Sequence, residues 1–218
     1  MEIVVGTKKW STWSLRPWLA LKWGDIAFEE RVIPLGGEGY GKSKIPAVLA
    51  ISPSGRVPSL HVDGIVVNDS LAICEWAAER APGLWPKEAG TRALARSAAA
   101  EMHSGFPALR RDLSMNIRRR MRHTPDFPED TRADLARLTE LWGGALERFG
   151  GPWLFGARSN ADAMFAPVVT RLRTYGVKTN PVIDAYCAAL FADAAFQEWE
   201  AGAHAETWTI ASAEELYR

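Results

Sequence analysis

The stretch from Gly55 to Arg80 constrains the fold of this chain more than any other. Asp63-Gly64 sits between two short apolar runs, Ser59 to Val62 and Ile65 to Val67. That is a two-residue hairpin signal, because a type I′ turn needs positive φ at both central positions. Pro58 stands just ahead of the first run, where its missing N–H costs the ladder nothing. It also pushes Val57 into an extended conformation, with its main-chain N–H and C=O available to a partner. After the hairpin, Asn68-Asp69-Ser70 leads into a helical run starting Leu71-Ala72-Ile73, with Ser70 as candidate cap. A helix start offers unpaired N–H groups and a partial positive charge, both suited to an anion. Alone, this is ordinary strand-turn-helix punctuation; the rest of the chain gives it a use.

With 218 residues there is room for one large domain or two small ones. Basic and acidic residues number 26 each; nine of each precede Ala81 and seventeen of each follow it. Neither half has the positive bias of a nucleic-acid-binding domain, so no nucleic-acid partner is expected. No apolar stretch reaches the length of a membrane span, so no membrane partner is expected either. The start, Met1-Glu2-Ile3-Val4-Val5-Gly6, lacks the basic lead and long apolar run of a secretory signal. Cys74 and Cys187 are the only cysteines and form no Cys-x-x-Cys pair, which fits a reducing cytoplasm.

Taken in order, Glu2 to Gly6 reads as a buried strand and Ala27 to Leu35 as a second. The helix between them starts near Trp13 or Ser14, since Pro17 belongs in a first turn. Ser14 is then its candidate cap, and Ser11 lies in the loop ahead with its hydroxyl free for a ligand. Strand, helix, strand in about thirty residues is a βαβ unit. Gly36 to Ser43 matches the phosphate-binding pattern G-x-x-x-x-G-K-S. That pattern needs an uninterrupted strand before it and a full helix after it. Pro34, Pro46 and Pro53 deny both, so the match is accidental and the segment a mobile loop. Residues 82 to 90 read as a linker. The remainder reads helical: Thr91 to about Met121 with a bend near Gly105-Phe106-Pro107, Pro128 to Phe149, then Asn180 to Phe191 and Ala194 to Gly202. Ser159-Asn160-Ala161-Asp162 is a capping-box signature opening another helix.

In order and spacing, these pieces resemble a cytosolic glutathione transferase of the serine type. Ser11-Thr12-Trp13-Ser14-Leu15-Arg16, Gly55-Arg56-Val57-Pro58, Asp69-Ser70-Leu71-Ala72-Ile73 and Ser159-Asn160-Ala161-Asp162 carry the resemblance, which spans the whole chain. It implies an α/β thioredoxin-like N-terminal domain over residues 1–81 and an all-α C-terminal domain over 91–218. It also implies glutathione as co-substrate, no metal, and a homodimer. Val57-Pro58 corresponds to the family's cis-proline turn, whose backbone pairs with the cysteinyl part of glutathione. Ser70 and its helix start would take the γ-glutamyl carboxylate and Asp69 the amine. Arg56 or Lys44 would face the glycyl carboxylate. Ser11 corresponds to the serine that hydrogen-bonds the sulfur, with Ser14 as the competing candidate.

The chemistry suits these residue types. A free thiol with a pKa near ~8.5 is mostly protonated at neutral pH. A hydroxyl donor and a helix N-terminus both favour the thiolate. The expected activity is attack of that thiolate on a small electrophile, by conjugation or a related isomerase, etherase or peroxidase reaction. The alternative is a non-catalytic binding or scaffold protein on the same fold. Family members that isomerise maleylacetoacetate usually carry a cysteine where Trp13 stands. Trp10 and Trp13 would narrow the opening over the sulfur. Arg111, Met115 and Arg118, in a basic cluster, would line the pocket for the second substrate. Residues His61, His103, His123 and His204 show no metal-ligand spacing and read as structural or exposed.

Overall fold

A computed structural model describes residues 1–36, 39–42 and 44–215. The first strand, β1 (Glu2–Gly6), passes through helix α1 (Thr12–Trp23) to β2 (Glu29–Ile33), which pairs with β1 in parallel, Val4 opposite Arg31. A short helix α2 (Pro46–Leu49) precedes the hairpin of β3 (Ser59–Val62) and β4 (Ile65–Asn68). Asp63 and Gly64 take φ of 49° and 79°, the positive pair that the turn requires. The sheet order is β2-β1-β3-β4, with β3 antiparallel to both neighbours. Helix α3 (Ser70–Arg80) follows, completing the thioredoxin-like βαβ-ββα plan. The Val57–Pro58 bond is cis. In the glycine-rich segment, Gly37, Glu38 and Ser43 lie outside the described residues; α2, at four residues, is too short to cradle phosphate.

The rest is helical: α4 (Ala89–Ser104), α5 (Pro107–Asp112), α6 (Glu129–Phe149), α7 (Asn160–Tyr175), α8 (Pro181–Ala192), α9 (Ala194–Ala205) and α10 (Ala211–Glu215). Helix α7 is the spine. Every residue but Arg173 is buried, because α1 and α4 pack against it from different sides. One apolar core runs from Ile3 and Leu60 through Leu15 and Ile73 to Phe165 and Trp199, so α1 is buried on nearly all its surfaces.

Some expected boundaries move. Helix α1 begins at Thr12, which makes Pro17 its sixth residue rather than a first-turn one. It is tolerated there because α1 is held by packing on all sides. The helix expected to run from Thr91 to Met121 starts at Ala89 and stops at Ser104, where Gly105 turns extended and Phe106 takes a left-handed φ of 57°. Pro107 then restarts a single short helix, and residues 113 to 128 are irregular. Among the described residues, no helix is long and apolar enough to cross a membrane.

Candidate active site

The carboxyl end of β1, the start of α1 and the start of α3 converge on a cleft of about 700 Å³. Ser11, Trp10, Trp13, Tyr40, Arg56, Val57, Pro58, Asp69, Ser70 and His103 line it. Ser11 occupies the N-cap position of α1, yet its hydroxyl makes no cap bond; it donates to Ser14 Oγ at 2.7 Å. The helix's first N–H groups and the Ser11 hydroxyl therefore stand together at the cleft wall. Ser14 is not the cap expected for it. It is fully buried one turn inside α1 and accepts the Gly6 N–H at 3.0 Å.

At the other wall, Val57's main-chain N–H and C=O find no hydrogen-bond partner among the described residues. Ser70 is 1% exposed and its Oγ, buried in the cleft wall, is also without a partner. Asp69, not Ser70, caps α3: its Oδ1 accepts from Leu71 N at 2.8 Å and Ala72 N at 3.4 Å. That leaves the Ser70 hydroxyl and N–H free, because the Asp69 carboxylate, from a residue at φ 78°, takes the next N–H groups of the helix end. Its other oxygen lies 3.2 Å from His103 Nε2, reaching across from α4. A buried orphan hydroxyl, an unpaired extended backbone and a helix tip are what an extended peptide with a terminal carboxylate would satisfy. The cleft therefore fits a small peptide. Among the described residues, no group of His, Cys, Asp and Glu could hold a metal ion.

A second cavity of about 320 Å³ adjoins the first, sharing Trp10, Thr12 and Tyr40 as common wall. Arg110, Ser114, Met115, Arg171 and Ala213 complete it. Trp13 separates two cations: the guanidiniums of Arg16 and Arg110 lie 4.5 and 4.9 Å from its ring. Arg16 is fully buried, and desolvation first, then the Arg110 and Arg171 charges, pull its pKa down to about 9. Among the described residues, the second cavity's lining carries the Arg110 and Arg171 cations and no carboxylate. Burial also raises the Tyr40 phenol above its ordinary value.

Placement corrects several sequence expectations. Met115 lines the second cavity. Arg111 does not; it pairs with Asp112 and Asp130 on the surface at 2.7 and 3.0 Å. Arg118 does not either; it donates to the carbonyls of Ala203, His204 and Glu206 at the end of α9. Both were assigned to one helical face that ends at Asp112. Lys44 is exposed and outside the cleft wall, its main-chain N–H turned to Gly39 O, whereas Arg56 lines the cleft. Sequence reasoning missed Arg110, Arg171, Thr12, Tyr40 and His103. Only Arg110 left a signal, as the neighbour of Arg111 one helical step round.

Comparison with known proteins agrees with this geometry. Residues 10–80 match the family described as glutathione S-transferase, N-terminal domain. The chain is 31% identical to maleylacetoacetate isomerase of Pseudomonas aeruginosa over 173 residues, 77% of this chain and 80% of that one. It superposes on the theta class glutathione S-transferase of Xanthomonas axonopodis pv. citri, solved with glutathione bound, with a TM-score of 0.64 and 25% identity over 90% of this chain and 95% of that one. A bacterial zeta class maleyl pyruvate isomerase shares the fold, with a TM-score of 0.70 at 22% identity over 96% of this chain and all of that one.

Proposed function

The chain belongs to the cytosolic glutathione S-transferase family, and from that membership we propose an enzyme that ionises the glutathione thiol beside Ser11 and presents the thiolate to an unsaturated, carboxylate-bearing acceptor. The observation carrying this is the Ser11 hydroxyl, uncommitted as a cap, on the wall of the cleft that also holds Val57 and Ser70. In this reading Ser70 Oγ and N–H take the γ-glutamyl carboxylate, Asp69 its amine, the Val57 backbone the cysteinyl unit, and Arg56 the glycyl carboxylate. Ser11 and the α1 N-terminus then face the sulfur and lower its pKa.

The acceptor enters the second cavity, where Arg110 and Arg171 meet its carboxylates and Trp10 and Met115 its carbon skeleton. Two cations in one small cavity favour an acid over a neutral aryl halide. The name of the Pseudomonas relative points to a cis-unsaturated acid. A thiolate adds reversibly to such a double bond, forming one C–S bond while the C=C becomes single. Rotation about that bond and loss of the thiolate return the trans isomer, so glutathione is not consumed. The same proposal assigns glutathione to residues 1–81 and the acceptor to the helices from residue 91, joined by 82–90. It also takes a homodimer and a cytoplasmic location, the first checked by light scattering.

Replacing Ser11 with Ala tests it. Turnover should fall roughly 10²-fold, as for loss of one charge-stabilising donor, with glutathione affinity within a few-fold of wild type. The bound thiol should lose its ultraviolet thiolate absorbance at neutral pH. Unchanged absorbance and turnover would sink the assignment. Reaction with aryl halides but with no cis diacid would leave the transferase and remove the isomerase.

A further inference from the structure

Ser14 is fully buried and lines neither cavity, yet it touches the Ser11 hydroxyl on the cleft wall. Its Oγ lies 2.7 Å from Ser11 Oγ and accepts the Gly6 N–H at 3.0 Å. Gly6 is itself fixed in place: a Cβ there would lie 2.7 Å from Leu35 and 2.9 Å from Val57 side-chain atoms. Ser11 is the donor of the serine pair, and among the described residues Ser14's own hydrogen has no acceptor.

We propose that Ser14 is a positioning residue that strengthens Ser11 as a donor to the glutathione sulfur. The proposal rests on the reading that Ser11 meets that sulfur. A thiolate only accepts, so Ser11 gives its single hydrogen to it. The Ser11 oxygen is then free to accept, and Ser14, at 2.7 Å, is the neighbour with a hydrogen to give. The Gly6 N–H can only donate, and it fills a lone pair on Ser14. The chain Gly6 N–H, Ser14 O–H, Ser11 O–H, thiolate therefore runs in one direction, every member donating toward the sulfur. Aligned hydrogen bonds polarise one another by roughly 10–30% per bond in a low-dielectric interior. No covalent bond changes in the relay: the thiol's proton leaves to water and each serine keeps its own.

Thiolate titration and pH–rate profiles of the whole protein test it. Ser14→Ala should raise the pKa of bound glutathione by about one unit, so that roughly tenfold less thiolate is present below the wild-type pKa. The rate should recover above the new pKa, with the KM for glutathione within about twofold. Ser14→Cys keeps the shape with a poorer donor, and should give a smaller upward shift at an unchanged melting temperature. In Ser11→Ala, adding Ser14→Ala should change the thiol pKa no further, because Ser14 acts through Ser11. Unshifted titrations in both single variants, a loss equal at every pH, or a full Ser14 effect without Ser11 would each overturn the relay alone. Wild-type protein that leaves bound glutathione protonated would overturn the reading of Ser11 as well.

Discussion

Asp69 does two jobs from one side chain. One carboxylate oxygen caps α3 and the other meets His103, tying the hairpin to α4. Its backbone sits at φ 78° and ψ 134°, a conformation strained for any residue with a Cβ. Asp69→Asn should keep one capping oxygen while removing the charge that the proposed function aims at the glutamyl amine. We expect the glutathione KM to rise about tenfold, the equivalent of about 1.4 kcal/mol, with little change in melting temperature. Asp69→Ala should also lose the cap, about 1 kcal/mol, lowering the melting temperature by roughly 2–4 °C for a chain of this size. An unaltered KM in Asp69→Asn would remove Asp69 from the glutathione site. The Asp69-Ser70 pair was legible because short polar side chains at helix starts follow local rules. Their division of labour was not, since it depends on a φ value no single residue announces. Arg171 was illegible for another reason: it meets Arg110 only because its side chain reaches from α7 to the Arg110 carbonyl, 61 residues away in sequence.

Helix ends show the same contrast. The Ser159–Asp162 capping box was written in four residues and formed: Asp162 accepts the Ser159 N–H at 2.8 Å and the Leu154 N–H at 3.1 Å. The place where α4 ends was legible at Gly105-Phe106-Pro107, but as a bend in one long helix, because Ala- and Arg-rich sequence is compatible with continued helix. It is a full stop: Gly105 is extended and Phe106 is held at positive φ while its ring is buried. Asp162 also makes a pH prediction. Complete burial raises its pKa to about 6 against the opposing backbone hydrogen bonds. The folded state thus holds a proton that the unfolded chain releases near pH ~4. Between those values the folded form binds more protons, so stability falls as pH rises from about 4 to about 6. Denaturant titration across that window should show a loss of about 2 kcal/mol, flattened in Asp162→Asn. A flat wild-type profile would mean that the hydrogen bonds outweigh burial. Asp162→Ala should cost more, about 2–4 kcal/mol, by leaving buried N–H groups without an acceptor.

At the scale of the whole molecule, the described end of the chain reaches the second cavity. Glu206 accepts the main-chain N–H groups of Lys8 and Lys9 at 2.6 and 3.1 Å, and Arg118 grips the carbonyls at the end of α9. Beyond that clasp, Ile210 is buried and Ala213 forms part of the second cavity's wall. Glu214 joins Lys9 at 2.8 Å and Arg119 at 2.9 Å. Lys9 is nearly inaccessible and lies 3.7 Å over the Trp10 ring, so the ionic link reaches the wall shared by both cavities. None of this was legible in the sequence, because the contact joins residues 205 positions apart. The arrangement predicts an uneven response. Removing residues 207–218 should open the acceptor cavity while Arg56, Val57 and Ser70, on the cleft wall that the two cavities do not share, keep their places. The acceptor KM should rise about tenfold or more, the equivalent of about 1.4 kcal/mol, while the glutathione KM stays within about twofold. Glu214→Gln should move the acceptor KM in the same direction by a smaller factor, because Ile210 still holds the segment by apolar burial. The wild-type acceptor KM should also climb with added salt, more steeply than in Glu214→Gln, since the half-exposed Arg119 arm of the link is screened. Equal changes in both KM values would show the segment acting on stability alone, and an unchanged acceptor KM in the truncated protein would detach it from the site.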